Sequence, residues 1–271
     1  MPKKLIKLFI DETIATFGDR VVSLYAFGSL GEHGDFSLCS DVDVVLMLDK
    51  VVVSDQGTVK ELWEKIKASE LDYADRLSLF WSSYSGNDFA RGVGRFPPLD
   101  RLDLIRHAKL LHGEDRRREL SEPSQQEMVL ESARFITSFM LADGKDAELT
   151  ENAGEILAKG SRYFTKFVLF PVRLLFTVAN EKTIASNKEA VAYFNQFYKK
   201  EMPKEVYELV NFAYTTRSCP AYVPVIYDEA ALKSALLALY QFTIRKYLEA
   251  VAEYDDAATK KQLSGWLQKI D

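Results

Sequence analysis

The chain contains no run of about 18 consecutive apolar residues, which excludes a conventional membrane-spanning helix from the sequence. Cysteine is nearly absent: Cys39 and Cys219 stand far apart and lack metal-ligand spacing, so neither a disulfide framework nor a thiolate metal site is expected. The three histidines, His33, His107 and His112, also lack such spacing; His33 reads as an exposed loop residue. Positive charge is in deficit, with 35 Lys and Arg against 40 Asp and Glu, and the net charge of −5 argues against a partner held mainly through phosphate contacts. Long nucleic acid is therefore an unfavoured partner. There is no internal repeat and no low-complexity tract. What is present is 271 residues at 47% hydrophobic content, long for one domain and comfortable for two. Met1-Pro2-Lys3-Lys4 leads into an amphipathic stretch rather than an apolar one, and a cytoplasmic protein is expected.

The most informative segment runs from Phe27 to Leu48. An apolar strand ends in Gly28-Ser29, a polar loop follows, and a second apolar strand opens with Asp41-Val42-Asp43. Side chains two apart on a strand share a face, so Asp41 and Asp43 are expected to present carboxylates together while Val42 and Val44 turn to the core. Paired carboxylates are hard ligands suited to Mg²⁺, and two such ions can clamp the attacking and leaving oxygens of a phosphoryl transfer. Gly28 has no Cβ to obstruct a triphosphate, and Ser29 adds a hydroxyl donor. These parts describe a nucleotide site.

The set Gly28-Ser29, the loop Leu30 to Ser40, and Asp41-Val42-Asp43 resembles the signature of the DNA polymerase β-like nucleotidyltransferase superfamily. The resemblance implies an NTP as co-substrate, Mg²⁺ (two ions) at Asp41 and Asp43, and phosphate binding by Gly28 and Ser29. It also implies a third carboxylate on a later strand that serves as base. The matching strand, Arg76 to Trp81, carries Ser78 at its middle, a departure from the pattern. Asp75 is the expected catalytic substitute if the strand slips or bulges, with Asp72 more distant. Glu32 and Asp35 are candidates for contacting a cationic acceptor, and Asp100 and Asp103 read as turn and cap residues.

The expected fold class is α+β: a mixed-sheet nucleotidyltransferase domain over residues 1–118, then an all-α helical domain over 124–271, joined by a charged, core-poor stretch. Helix (Leu5 to Phe17), strand (Val21 to Phe27), strand (Val42 to Leu48), helix (Thr58 to Ala68) and strand (Arg76 to Trp81) lead to the Pro97-Pro98 breaker, after which Leu102 to Leu111 closes the domain as helix or edge strand. Helical stretches are then expected at Glu127 to Leu141, Ala153 to Ala179, Lys188 to Tyr198, Glu205 to Thr216 and Glu229 to Tyr254.

Arg173 to Thr177 followed by Ser186-Asn187-Lys188 is similar to the helical domain of bacterial aminoglycoside adenylyltransferases, although Asn187 interrupts the Ser-Lys element. The resemblance implies that Lys188 reaches nucleotide phosphates; read from the residues alone, Ser186 is a helix N-cap with a charged first turn. Lys159, Arg162, Lys166 and Arg173 would form a basic stripe on one continuous helix, blurred by Pro171, and Lys166 is a second candidate nucleotide ligand. The expected activity is transfer of a nucleoside monophosphate, AMP from ATP, to a hydroxyl of a small molecule, an aminoglycoside among the candidates. Transfer to RNA or protein, and a nucleotide-binding regulatory protein with weakened catalysis, are the alternatives. The sequence leaves the acceptor and the oligomeric state open.

Overall fold

In the computed structural model, residues 2–140 and 144–270 are described; the expected helix end at Leu141 and the outer limits at 1 and 271 lie outside them. Contacts divide the chain into one unit of Met1–Phe36 with Ser40–Pro123, and a second of Ser124–Asp271 with the loop residues Ser37–Cys39.

The first unit runs α1 (Lys3–Phe17), β1 (Val21–Ala26), β2 (Val42–Leu48), α2 (Asp55–Lys67), β3 (Leu77–Ser83), α3 (Pro98–His107) and β4 (Lys109–Gly113). The strands form a mixed sheet in the order β3-β2-β1-β4, with β2 and β3 parallel and the other pairs antiparallel. Pro98 opens α3, a position where a missing N–H costs nothing. The stretch expected as helix or edge strand is both in turn, α3 and then β4 on the sheet edge.

Period-two alternation divides the sheet into two faces. Leu24, Ala26, Val44, Leu46 and Leu79 pack with Leu5 and Phe9 of α1 and Leu62 and Ile66 of α2. Tyr25, Phe27, Val45, Met47 and Phe80 pack with Phe96, Leu104 and Ala108 on the α3 side. A strand covered on both faces needs apolar residues throughout, and β2 supplies them from Val44 to Leu48. Asp43 and Ser78 have the parity of the α3 face, at the starts of their strands.

The second unit is helical: α4 (Gln125–Phe135), α5 (Lys145–Thr150), α6 (Ala153–Ala158), α7 (Ser161–Ala179), α8 (Asn187–Phe197), α9 (Lys204–Thr216), α10 (Glu229–Val251) and α11 (Ala257–Ile270). The single helix expected over Ala153 to Ala179 is two. Gly160 breaks it at φ 95°, and a Cβ there would lie 2.9 Å from the Tyr222 backbone. Lys159 thereby leaves the expected stripe and pairs with Glu148 at 2.5 Å, while Arg162, Lys166 and Arg173 remain on α7. Pro171 lies inside α7 and removes the N–H that would bond the Phe167 carbonyl. The buried Tyr240 hydroxyl of α10 donates to that carbonyl at 2.9 Å, which restores the lost partner. No helix among the described residues is long and apolar enough to cross a membrane.

Candidate active site

The site is built where β1 ends. The Phe27 amide donates to the Asp43 carbonyl at 3.2 Å, and the chain then turns at Gly28 with φ 59°. A Cβ on Gly28 would lie 2.8 Å from Asp43 Oδ2, so the turn and the carboxylate touch, and only glycine combines this backbone conformation with that approach. Ser29 follows directly, half-buried. Asp43 is half-buried on β2, and Asp41 is half-buried just before the strand begins.

Helix α3 holds the turn from behind. The Gly28 amide donates to Asp103 Oδ2 at 3.1 Å. The other oxygen of that carboxylate lies 3.5 Å from His33 Nε2, and the two side chains are only 7% and 6% exposed. His33 stacks on His107 with ring centroids 4.0 Å apart. The Glu32 amide donates to the His107 carbonyl at 2.6 Å, and a Cβ on Gly31 would meet that oxygen at 2.5 Å. The structure thus corrects two readings: His33 is enclosed rather than exposed, and Asp103 is a buried carboxylate in mid-helix rather than a turn or cap residue. The available signal was Asp103's place between Leu102 and Leu104, both fully buried, where an acid demands a specific partner.

Opposite Asp43 in the parallel register stands Ser78, and the pairing is continuous from Val42 with Leu77 to Leu48 with Ser83. No slip or bulge brings Asp75 into line. Asp75 lies in the turn before β3, 54% exposed, with its carboxylate 3.8 Å from Arg76 Nε. Arg76 itself is 10% exposed, stacks over Tyr73 at 4.2 Å and donates to the Ser40 carbonyl at 3.4 Å, next to Asp41. The site's margin therefore carries a largely buried cation. Glu32 and Asp72 are exposed, and Asp35 is half-buried.

In the helical unit Ser186 caps α8 with a reciprocal capping box: its hydroxyl accepts from the Glu189 amide at 3.2 Å, and its own amide donates to Glu189 Oε2 at 2.8 Å. Lys188 is exposed in the first turn of that helix, and Lys166 is half-buried on α7 with its ammonium 5.9 Å from the Phe170 ring centre.

Mg²⁺ takes a few protein oxygens and completes its octahedron with water and phosphate. Asp41 lies one residue before β2 and Asp43 on it, with Asp43 Oδ2 facing the side-chain-free edge of Gly28. Among the described residues no group of three or more His, Cys, Asp or Glu stands together, and the place expected for a further carboxylate holds Ser78.

No family profile matches the chain, and no curated protein is similar to it in sequence. Among solved structures, spectinomycin adenyltransferase AAD(9) from Enterococcus faecialis, determined with ATP and spectinomycin, matches at a TM-score of 0.56 and 10% identity, over 100% of this chain and 99% of that one. The chain thus shares the fold of that adenyltransferase, a mixed-sheet unit followed by a helical one.

Proposed function

We propose that this protein is a Mg²⁺-dependent nucleotidyltransferase that moves AMP from ATP to a hydroxyl of a small, cationic, aminoglycoside-like acceptor. The observation that carries this reading is the contact between the Gly28 turn and the Asp43 carboxylate, which joins a phosphate-binding turn to a metal-binding acid at one point. The end-to-end likeness to an adenyltransferase solved with ATP and spectinomycin supports the choice of nucleotide and acceptor class. The acidic balance of −5 suits a cationic acceptor.

In this reading Asp41 and Asp43 would hold the ion, which would supply charge neutralisation for the triphosphate. The Ser29 hydroxyl donates to a phosphate oxygen, and Gly28 leaves space for it. The acceptor oxygen bonds to the α-phosphorus as the bond to pyrophosphate breaks, and its proton passes to solvent, since the register that sets Ser78 opposite Asp43 leaves Asp75 in the turn before β3. Lys166 and Lys188 are the helical unit's proposed nucleotide ligands, by resemblance.

The test is incubation with Mg²⁺, each of four labelled NTPs and pools of aminoglycosides, tRNA and protein, with pyrophosphate release and label transfer followed together. Transfer of AMP to an aminoglycoside, lost in a folded Asp43→Ala variant, is the expected result; retained turnover in that variant would refute the metal assignment. A second reading, a nucleotide-binding regulatory protein, is favoured by Ser78 opposite Asp43. Nucleotide binding without transfer to any acceptor would select it.

A further inference from the structure

Asp103 and His107 are four residues apart on α3 and so share one face of the helix. That face grips the loop after β1 at three places: Asp103 takes the Gly28 amide, the His107 carbonyl takes the Glu32 amide, and the His107 ring stacks on His33. A carboxylate buried to this degree is tolerated only with hydrogen-bond donors about it, and a backbone amide given to a carboxylate is a charge-assisted bond. Leu102 and Leu104, both fully buried, fix the helix on either side of Asp103. The amide cannot serve Asp103 and a phosphate at once.

We propose that Asp103 is a positioning residue for the Gly28-Ser29 turn, drawing the Gly28 amide inward against α3 so that Ser29 is the residue presented to a phosphate. The carboxylate acts through the turn and not on the substrate. Its link to phosphate rests on the nucleotidyltransferase reading above, whereas its hold on the Gly28 amide does not.

The test compares the full-length wild type with Asp103→Ala, Asp103→Asn and Leu104→Ala. Asparagine can still accept from Gly28 while its amide group faces His33; the leucine variant weakens the same helix without touching the bond. In Asp103→Ala the Gly28 amide proton resonance moves upfield and its exchange protection falls by about tenfold or more, the scale of one charge-assisted hydrogen bond. The KM for ATP rises about tenfold while kcat changes much less, and Asp103→Asn restores both quantities to near wild type. Leu104→Ala lowers the melting temperature and leaves the Gly28 resonance in place. If Asp103→Ala does not fold, Asp103→Ser, too short to span the gap, replaces it with the same expectations. An unmoved Gly28 resonance, or an Asp103→Asn variant as impaired as the alanine, overturns the assignment. A wild type that binds no NTP overturns the nucleotidyltransferase reading instead, and the Gly28 resonance and exchange then decide the positioning role alone.

Discussion

Gly28 concentrates the site's demands on one residue. A side chain there meets a left-handed backbone, at about 1–2 kcal/mol for an L-residue, and a carboxylate oxygen 2.8 Å away that must move. Gly28→Ala is therefore expected to lose roughly that much stability in urea titration and to bind Mg·ATP more weakly by calorimetry. Gly57 supplies the contrast, since it lies inside α2 with open space around its Cβ position; Gly57→Ala should gain about 0.5–1 kcal/mol and leave binding alone. Equal effects of the two substitutions would refute the special role of the turn. Ser78 offers a gain instead of a loss. Its Cα is the register partner of Asp43, so Ser78→Glu brings a third carboxylate to the pair and should tighten Mn²⁺ binding measured by paramagnetic resonance. Unchanged Mn²⁺ affinity would show that position 78 does not face the metal. The turn at Gly28 and the strand that carries Asp43 were legible in the sequence because local rules govern both. Asp103 was not, because 75 residues and a helix crossing separate it from Gly28.

At the scale of elements, the pairing of Pro171 with Tyr240 shows how one helix repairs another. Removing the hydroxyl leaves the Phe167 carbonyl buried without its donor, so Tyr240→Phe should cost about 1–3 kcal/mol in chemical denaturation. Pro171→Ala returns a helical N–H to the same carbonyl, and in that background the cost of Tyr240→Phe should shrink; an undiminished cost would disconnect the two residues. A second element contact joins the start of α2 to the approach of β1. Asp55, 2% exposed, accepts from both terminal nitrogens of Arg20 at 2.8 and 2.7 Å and from the Val52 amide at 2.8 Å. The Arg20 hydrogen bonds, with the Val52 amide, hold the Asp55 carboxyl below its ordinary range. A group with a lowered folded pKa contributes stability that is complete above its unfolded pKa, about 3.9, and that fades as pH falls through the folded value. Wild type should therefore lose stability below about pH 4 more steeply than Asp55→Asn, by pH-dependent thermal melts. Parallel curves would remove this pair from the acid response. Apolar periodicity made most helices and strands readable, but not the break at Gly160, where the approach of Tyr222 decides the outcome and no local pattern announces it.

At the scale of the molecule, the mixed-sheet unit and the passage from sheet to helices were legible in the sequence, whereas the strand order β3-β2-β1-β4 was not, because it depends on pairings between distant segments. The placement of loop residues 37–39 was not legible either. They cluster with the helical unit, where the Cys39 thiol donates to the Cys219 carbonyl at 3.5 Å, a contact that depends on chain folded far away. Whole-molecule charge bears on the choice among acceptors. A protein that neutralises several RNA phosphates releases counterions, so its affinity falls steeply with salt. A chain with net charge −5 has a poor basis for such binding, while a single nucleotide with its ion needs only a local site. Fluorescence anisotropy with labelled tRNA should accordingly show binding no tighter than the non-specific range, about 10⁻⁴–10⁻⁶ M near physiological salt. Labelled ATP with Mg²⁺ should bind with little change between 50 and 200 mM salt, roughly the span over which phosphate-dominated complexes lose several orders of magnitude. Tight tRNA binding that collapses over the same range would move the acceptor from a small molecule to RNA, and would require a basic surface that the overall charge conceals.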